Sequence, residues 1–154
     1  MMVPARIPLI LLTEEQMAWA LYVPQVLDQI HTSIVPAVSL DPDGASVARV
    51  SLSIDAAGIR PKKVKGSYTS LFKLLAAVFD ENGMIVRDYR QDYRLSLDEA
   101  GYRDFLKRGS NISLNVKLAP GKYRIKTVLR DLDSGKMSTR QAALYVPALP
   151  SGLP

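Results

Sequence analysis

The chain has 154 residues and a mass of 17.0 kDa, with 47% hydrophobic and 23% charged residues, the balance of an ordinary globular domain and not of a disordered or membrane-embedded chain. Lysine and arginine number 20 against 15 acids, a net charge of +5 that would suit an anionic partner, yet no block of five like charges concentrates it. Cysteine is missing, which excludes disulfides, thiolate zinc sites and cysteine nucleophiles and leaves the compartment open.

At the N-terminus, Arg6 precedes the apolar run "IPLILL", and "AWA" at 18–20 mimics a small-residue cleavage site. The run is six residues long and is followed by Glu14 and Glu15, so it makes a poor signal peptide and no membrane span. Thr13 and Gln16 form a capping-box pattern ahead of "MAWALY", which predicts a short helix from about Glu14 to Tyr22, ended by Pro24. Pro36 and "DPDG" at 41–44 read as irregular chain and a turn. Residues 1–40 are therefore expected to be a helical and irregular lead-in, and an exposed Trp19 there would favour a partner-binding role.

From Val47 the period changes to two. "VARVSLSI" puts Ala48, Val50, Leu52 and Ile54 on one face of a strand. "TSLFKLLAAVF" at 69–79 is apolar on both faces apart from Lys73, as in a central strand covered twice or a buried helix; the "DENG" turn that follows favours the strand. In "RDYRQDYR" at 87–94, basic and aromatic residues alternate as they would to stack a nucleic acid. Asp88 and Asp92 cancel much of the charge, and on a strand the charges form a mixed-sign ladder opposite Tyr89 and Tyr93. Ser96 and Glu99 form a second capping box, opening a short helix in which Tyr102, Phe105 and Leu106 share a face and Lys107, Arg108 and Gly109 close the unit. Alternation resumes at Ile112, Leu114, Val116 and Leu118, and after the "APGK" turn at Tyr123, Ile125, Thr127 and Leu129. "LDSG" then leads into a last strand, "KMSTRQAALYV".

The candidate sites are few. Asp131, Asp133 and Ser134 crowd together as in calcium loops, but Lys136 and Arg140 stand where an EF-hand needs ligands, and the integrin-type pattern fails at Gly135. The stretch reads better as a hairpin turn, with Asp133 accepting from the backbone two residues on and Gly135 at positive φ. Asp41 and Asp43 could join that pair at one end of the fold as an interdomain calcium site only if the loops met there. His31 is the single histidine and no Gly-x-Ser-x-Gly elbow accompanies it, so no triad is indicated; "GSYTS" lacks the spacing of a phosphate loop. Asp98 and Glu99 are explained by a helix N-terminus. No cofactor, metal or catalytic residue is assigned, and the chain reads as non-catalytic.

These elements predict an all-β, immunoglobulin- or fibronectin III-like antiparallel sandwich from Asp41 to Ala148, with one inserted short helix, a short N-terminal helix and a flexible tail at 149–154. The order of the motifs also resembles the C-terminal domain of bacterial von Willebrand factor A-related proteins of the acidobacterial type. The matching pieces are Ala77 to Gly83, Tyr102 with Leu106, Leu118 to Ile125, Val128 to Lys136, and Val146 with Pro147; "EEQMAWAL" at 14–21 is similar to the connection that follows the adhesion-type domain. The resemblance implies an exported, extracytoplasmic protein with its von Willebrand A domain and metal site upstream, this chain being the C-terminal module as a fragment or a stand-alone relative. No functional residue of that family carries over. The implied role is a structural or protein-interaction module whose partner is another protein or the upstream domain, without nucleic acid. The alternative is a carbohydrate- or polyanion-binding module, which requires Lys117, Arg124, Lys126, Arg130 and Arg140 to cluster on one exposed face without acidic cancellation.

Overall fold

The computed structural model describes residues 2–5, 11–24, 26–40 and 45–148, with the backbone only at 11–14. Asp41 and Asp43, and the expected tail at 149–154, lie outside the described residues. Two antiparallel sheets face each other as a β-sandwich carrying two helices.

The alternating segments become the smaller sheet. In β3 (Ser46–Ile54) Ala48, Val50, Leu52 and Ile54 are buried, and in β7 (Ser110–Lys117) Ile112 and Leu114 are, with Val50 opposite Leu114 and Leu52 opposite Ile112. One face in and one face out is what a period of two requires of a half-buried sheet. The third strand corrects the reading of residues 1–40 as helical and irregular. β2 (Thr32–Leu40) pairs with β3 along its whole length, Pro36 opposite Val50. Proline is tolerated because β2 is an edge strand in the order β2-β3-β7, where its missing N–H costs no ladder bond.

The larger sheet runs β1 (Met2–Ala5), β6 (Ile85–Leu97), β5 (Ser67–Phe79), β8 (Gly121–Asp131), β9 (Met137–Val146), with β4 (Lys62–Val64) hairpinned onto the start of β5. Its centre, β5, is the segment apolar on both faces, and the structure covers both. Phe72, Leu74, Ala76 and Val78 point into the main core between the sheets. Leu75, Ala77 and Phe79 point outward, where α1 (Leu11–Tyr22) lays Met17, Ala20 and Leu21 over them and over Val128. Each large side chain so buried contributes roughly 1.5–3 kcal/mol, which fixes α1 as part of the domain. The helix starts at Leu11, so Thr13 lies inside its first turn and does not precede it as a cap.

The second helix, α2 (Glu99–Arg108), is capped two residues later than the expected box places it. Ser96 belongs to β6, and Asp98 is the cap, its Oδ1 accepting from the Gly101 N–H at 2.7 Å. Only Phe105 is buried on this helix, Tyr102 stacks at 4.0 Å on Tyr68, and Leu106 is 54% exposed instead of sharing the buried face. A short helix lying across one end of the sandwich buries one narrow stripe. Gly109 ends it at φ 68°, its N–H donating to the Phe105 carbonyl.

Candidate functional site

Helix α1 reads "LLTEEQMAWALY", with apolar residues on more than one side. Its Met17–Ala20–Leu21 face rests on the sheet, and Trp19 and Tyr22, three apart and so on one face, are 59% and 67% exposed, Tyr22 keeping an edge contact with the Phe79 ring at 6.3 Å. Val26, just beyond the helix, is exposed as well. Among the described residues, the side of α1 that is covered is the one carrying Met17, Ala20 and Leu21. Trp19 answers the expectation set for it in the sequence; Tyr22 and Val26 were missed, since nothing local separates their outward direction from the inward one of Leu21.

The helix is held from distant strands. Lys126 donates to the Val23 carbonyl at 2.5 Å, and Arg130 to Gln16 Oε1. Arg140 donates to the carbonyls of Thr32 (2.7 Å) and Leu27 (3.2 Å) and pairs with the Asp28 carboxylate. The Arg140 hydrogen bond holds the Asp28 carboxyl below its ordinary value of 3.8. Burial, then the charge of Arg124, pushes the Lys126 ammonium below the usual lysine range. Asp28 and Gln29 also bridge to β9, through Asp28–Ser138 pairing and the Gln29 N–H to the Met137 carbonyl at 3.1 Å.

Of the five basic residues considered for polyanion binding, three are thus engaged with residues 16–32 of the same chain. Arg124 lies on the same face of β8, exposed, its guanidinium 5.1 Å from the centre of the Phe79 ring. Lys117 is on β7 of the other sheet. The five do not share one exposed face: Lys126 is 7% exposed, and the acid Asp28 accompanies Arg140.

The remaining candidates resolve into backbone chemistry. Asp131, not Asp133, makes the turn: its buried Oδ1 accepts from the N–H groups of Asp133 (2.9 Å) and Ser134 (3.4 Å), while Asp133 pairs with Lys62 at 3.2 Å. Gly135 takes φ 77° as expected. A carboxylate that already receives two backbone donors is committed to shaping the loop. His31 is exposed, with Nδ1 3.5 Å from Asp28. Along β6, the register puts Asp88, Arg90, Asp92 and Arg94 on one face and the hydrogen-bonded hydroxyls of Tyr89 and Tyr93, 2.6 Å apart, on the other. Burial first, then Tyr89, pushes the Tyr93 phenol above its ordinary value. Asp92 Oδ1 lies 2.7 Å from the buried Lys73 ammonium, so that part of the ladder is an internal ion pair.

Fold and surface define an all-β sandwich whose N-terminal helix is clamped to one sheet with an aromatic face turned outward. No family model and no curated protein matches the chain. Solved structures align with part of the chain at low identity. A calcium-binding mutant of Bacteroides uniformis β-glucuronidase 2 is 10% identical with a TM-score of 0.47, over 77% of this chain and 15% of that one. A Bordetella pertussis protein assigned as ApaA is 13% identical with a TM-score of 0.43, over 78% and 95%. This chain therefore spans about 15% of the length of the glucuronidase. Among the described residues no helix is long and apolar enough to cross a membrane.

Proposed function

We propose that this chain is a non-catalytic, immunoglobulin-like interaction module that presents the Trp19–Tyr22 face of α1 to another protein domain. The observation that carries the reading is the pairing of an exposed aromatic face with a firmly anchored helix. Aromatic side chains bring large contact area, and a helix already packed on the sheet through Met17, Ala20 and Leu21 and held by Lys126 and Arg130 loses little further freedom on docking. The strand order supports the immunoglobulin-like assignment: β2-β3-β7 against β6-β5-β8-β9 is the arrangement A-B-E against C′-C-F-G. With the motif order described above, the reading extends to an exported bacterial protein of the von Willebrand factor A-related kind, in which the docking domain lies upstream in the same chain.

The test uses the single tryptophan. Trp19 emission and acrylamide quenching are compared in this chain and in the natural reading frame extended upstream. The reading expects a blue shift and loss of quenching in the longer protein, and restored quenching of a probe at 22 when Trp19 is replaced by serine. Equal quenching of Trp19 in both proteins would overturn it, and a reading frame lacking an upstream von Willebrand A domain would remove the family assignment.

A further inference from the structure

Arg60, Lys62, Lys63 and Lys65 put four cations into six positions, and the fold gathers them on the β4–β5 hairpin. β4 pairs with the start of β5 from Lys62 opposite Thr69 to Val64 opposite Ser67, which leaves Lys65 and Gly66 as a two-residue turn at the tip. Both have positive φ, 50° and 81°, as the tight hairpin turn requires. Glycine fits such a backbone freely. A lysine at 65 stands where asparagine, aspartate or glycine is favoured, so an ammonium is held at the apex at a cost to the backbone. The tip stands clear of the sandwich: a β-carbon at Gly66 would meet nothing beyond its chain neighbours within 4 Å, and Val64 is 53% exposed. Neighbours on a strand face opposite ways, and Lys62 reaches Asp133 at 3.2 Å while Lys63 reaches Glu99 of α2 at 3.3 Å. Arg103 adds a positive charge beside the same Glu99 carboxylate. Arg60 and Lys65 are exposed and meet no acid among the described residues.

We infer that this hairpin is a docking finger for an anionic phospholipid surface, with Val64 at the boundary of headgroups and acyl chains and the four cations on the lipid phosphates. Charge complementarity is the first argument. The hairpin and Arg103 carry five cations against the carboxylates of Asp133 and Glu99, and ion pairs as exposed as these two exchange readily for phosphate. Each lysine or arginine brought near a negatively charged membrane adds to the attraction. The second argument is the tip itself, where an apolar side chain lies between Lys63 and Lys65. Such a residue can enter the interface while the ammonium groups beside it stay among the headgroups. The third is shape: cations on both faces of the strand and at its apex suit a layer that surrounds the finger, whereas a flat acidic patch on a protein would engage one side. Nucleic acid is disfavoured, because the rings beside the hairpin are already occupied, Tyr68 stacked on Tyr102 at 4.0 Å with the Lys63 ammonium over Tyr68. The inference is independent of the Trp19 surface and stands or falls apart from it.

The experiment sediments the full chain with vesicles of phosphatidylcholine alone and of phosphatidylcholine mixed equally with phosphatidylglycerol. The expected result is binding to the mixed vesicles only, weakened by salt. The Arg60→Glu, Lys65→Glu double variant, whose positions are exposed and unpaired, should melt where the unaltered chain does and bind at least about tenfold more weakly. Trp19→Ser should bind as the unaltered chain does, which separates this finger from the aromatic face of α1. The chain has no cysteine, so Val64→Cys can carry a polarity-sensitive dye, whose emission should shift to the blue on the mixed vesicles. Equal binding to both vesicles, binding indifferent to the double variant, a dye that does not shift, or displacement of the chain from the vesicles by a duplex oligonucleotide or a glutamate-rich peptide at equal charge would each overturn the inference.

Discussion

Lys126 donates its ammonium to the carbonyl of Val23 at 2.5 Å, so a strand residue 103 positions downstream holds the C-terminal end of α1. The helix has no basic residue of its own in its last turn, and a cation there complements both the unpaired carbonyls and the negative end of the helix dipole. Lys126→Met keeps the stem and removes the donor. It should cost about 1–2 kcal/mol in urea unfolding, the scale of a charged hydrogen bond, and should raise acrylamide quenching of Trp19. Unchanged stability and quenching would show that apolar packing alone positions the helix.

Met17 is fully buried against the outer face of the large sheet. Met17→Ala should lower stability by about 2–4 kcal/mol through lost transfer energy and the cavity left behind. Trp19→Ser, on the exposed face, should change it by less than about 0.5 kcal/mol. Equilibrium denaturation of the two variants separates the face that builds the domain from the face free to serve a partner.

Gly109 permits a close backbone approach between the end of α2 and β3. A β-carbon there would sit 2.0 Å from the Ile54 carbonyl oxygen, and φ is 68°. Gly109→Ala should therefore destabilise by about 2 kcal/mol or more, whereas Gly66→Ala, with open space around it but φ 81°, should cost about 1 kcal/mol. Thermal melts of the pair test the distinction between backbone collision and φ strain.

Glu99 receives the Lys63 ammonium at 3.3 Å and the Tyr68 hydroxyl at 3.1 Å, and these bonds, Lys63 first, hold its carboxyl below the ordinary 4.5. A lowered acid stabilises the fold above the unfolded value and loses that contribution as pH falls through the folded one. An NMR titration should place the Glu99 midpoint below 4.5, and Lys63→Ala or Tyr68→Phe should each move it upward. A midpoint indifferent to both changes would mean that the bonds do not persist in solution.

Asp131 spends its Oδ1 on two backbone N–H groups at the last hairpin. Asp131→Ala should cost about 1–3 kcal/mol by leaving them without that acceptor. Millimolar calcium should leave the melting temperature of the unaltered chain where it was; a rise would reopen the metal reading, since a ligand that binds the folded state must stabilise it.

Much of the sandwich was legible because its cues are local. The alternation at Ala48–Ile54 and Ile112–Leu118, the turns at Asp80–Gly83 and Asp131–Gly135, and the doubly apolar run of β5 each carry a period or a turn chemistry within a few residues. Pro36 hid β2, because proline marks a break unless the strand is known to lie on an edge, and edge position belongs to the assembled sheet. β1 has four residues and takes its identity from Leu95 to Asp92 of a strand far along the chain.

The candidate site divides along the same line. Residue order settles which side chains are basic, aromatic or acidic, which positions share a strand face, and that a turn with Gly135 at positive φ makes the last hairpin, though it points to Asp133 and not Asp131 as the acceptor. Whether Lys126, Arg130 and Arg140 face solvent or hold the chain's own first helix and the segment that follows it depends on contacts more than 100 residues apart. The polar partner of a long side chain is chosen by whatever the folded chain brings within 3 Å, and no local period encodes that choice. The outward face of Trp19 was settled the same way, when Met17, Ala20 and Leu21 took the sheet.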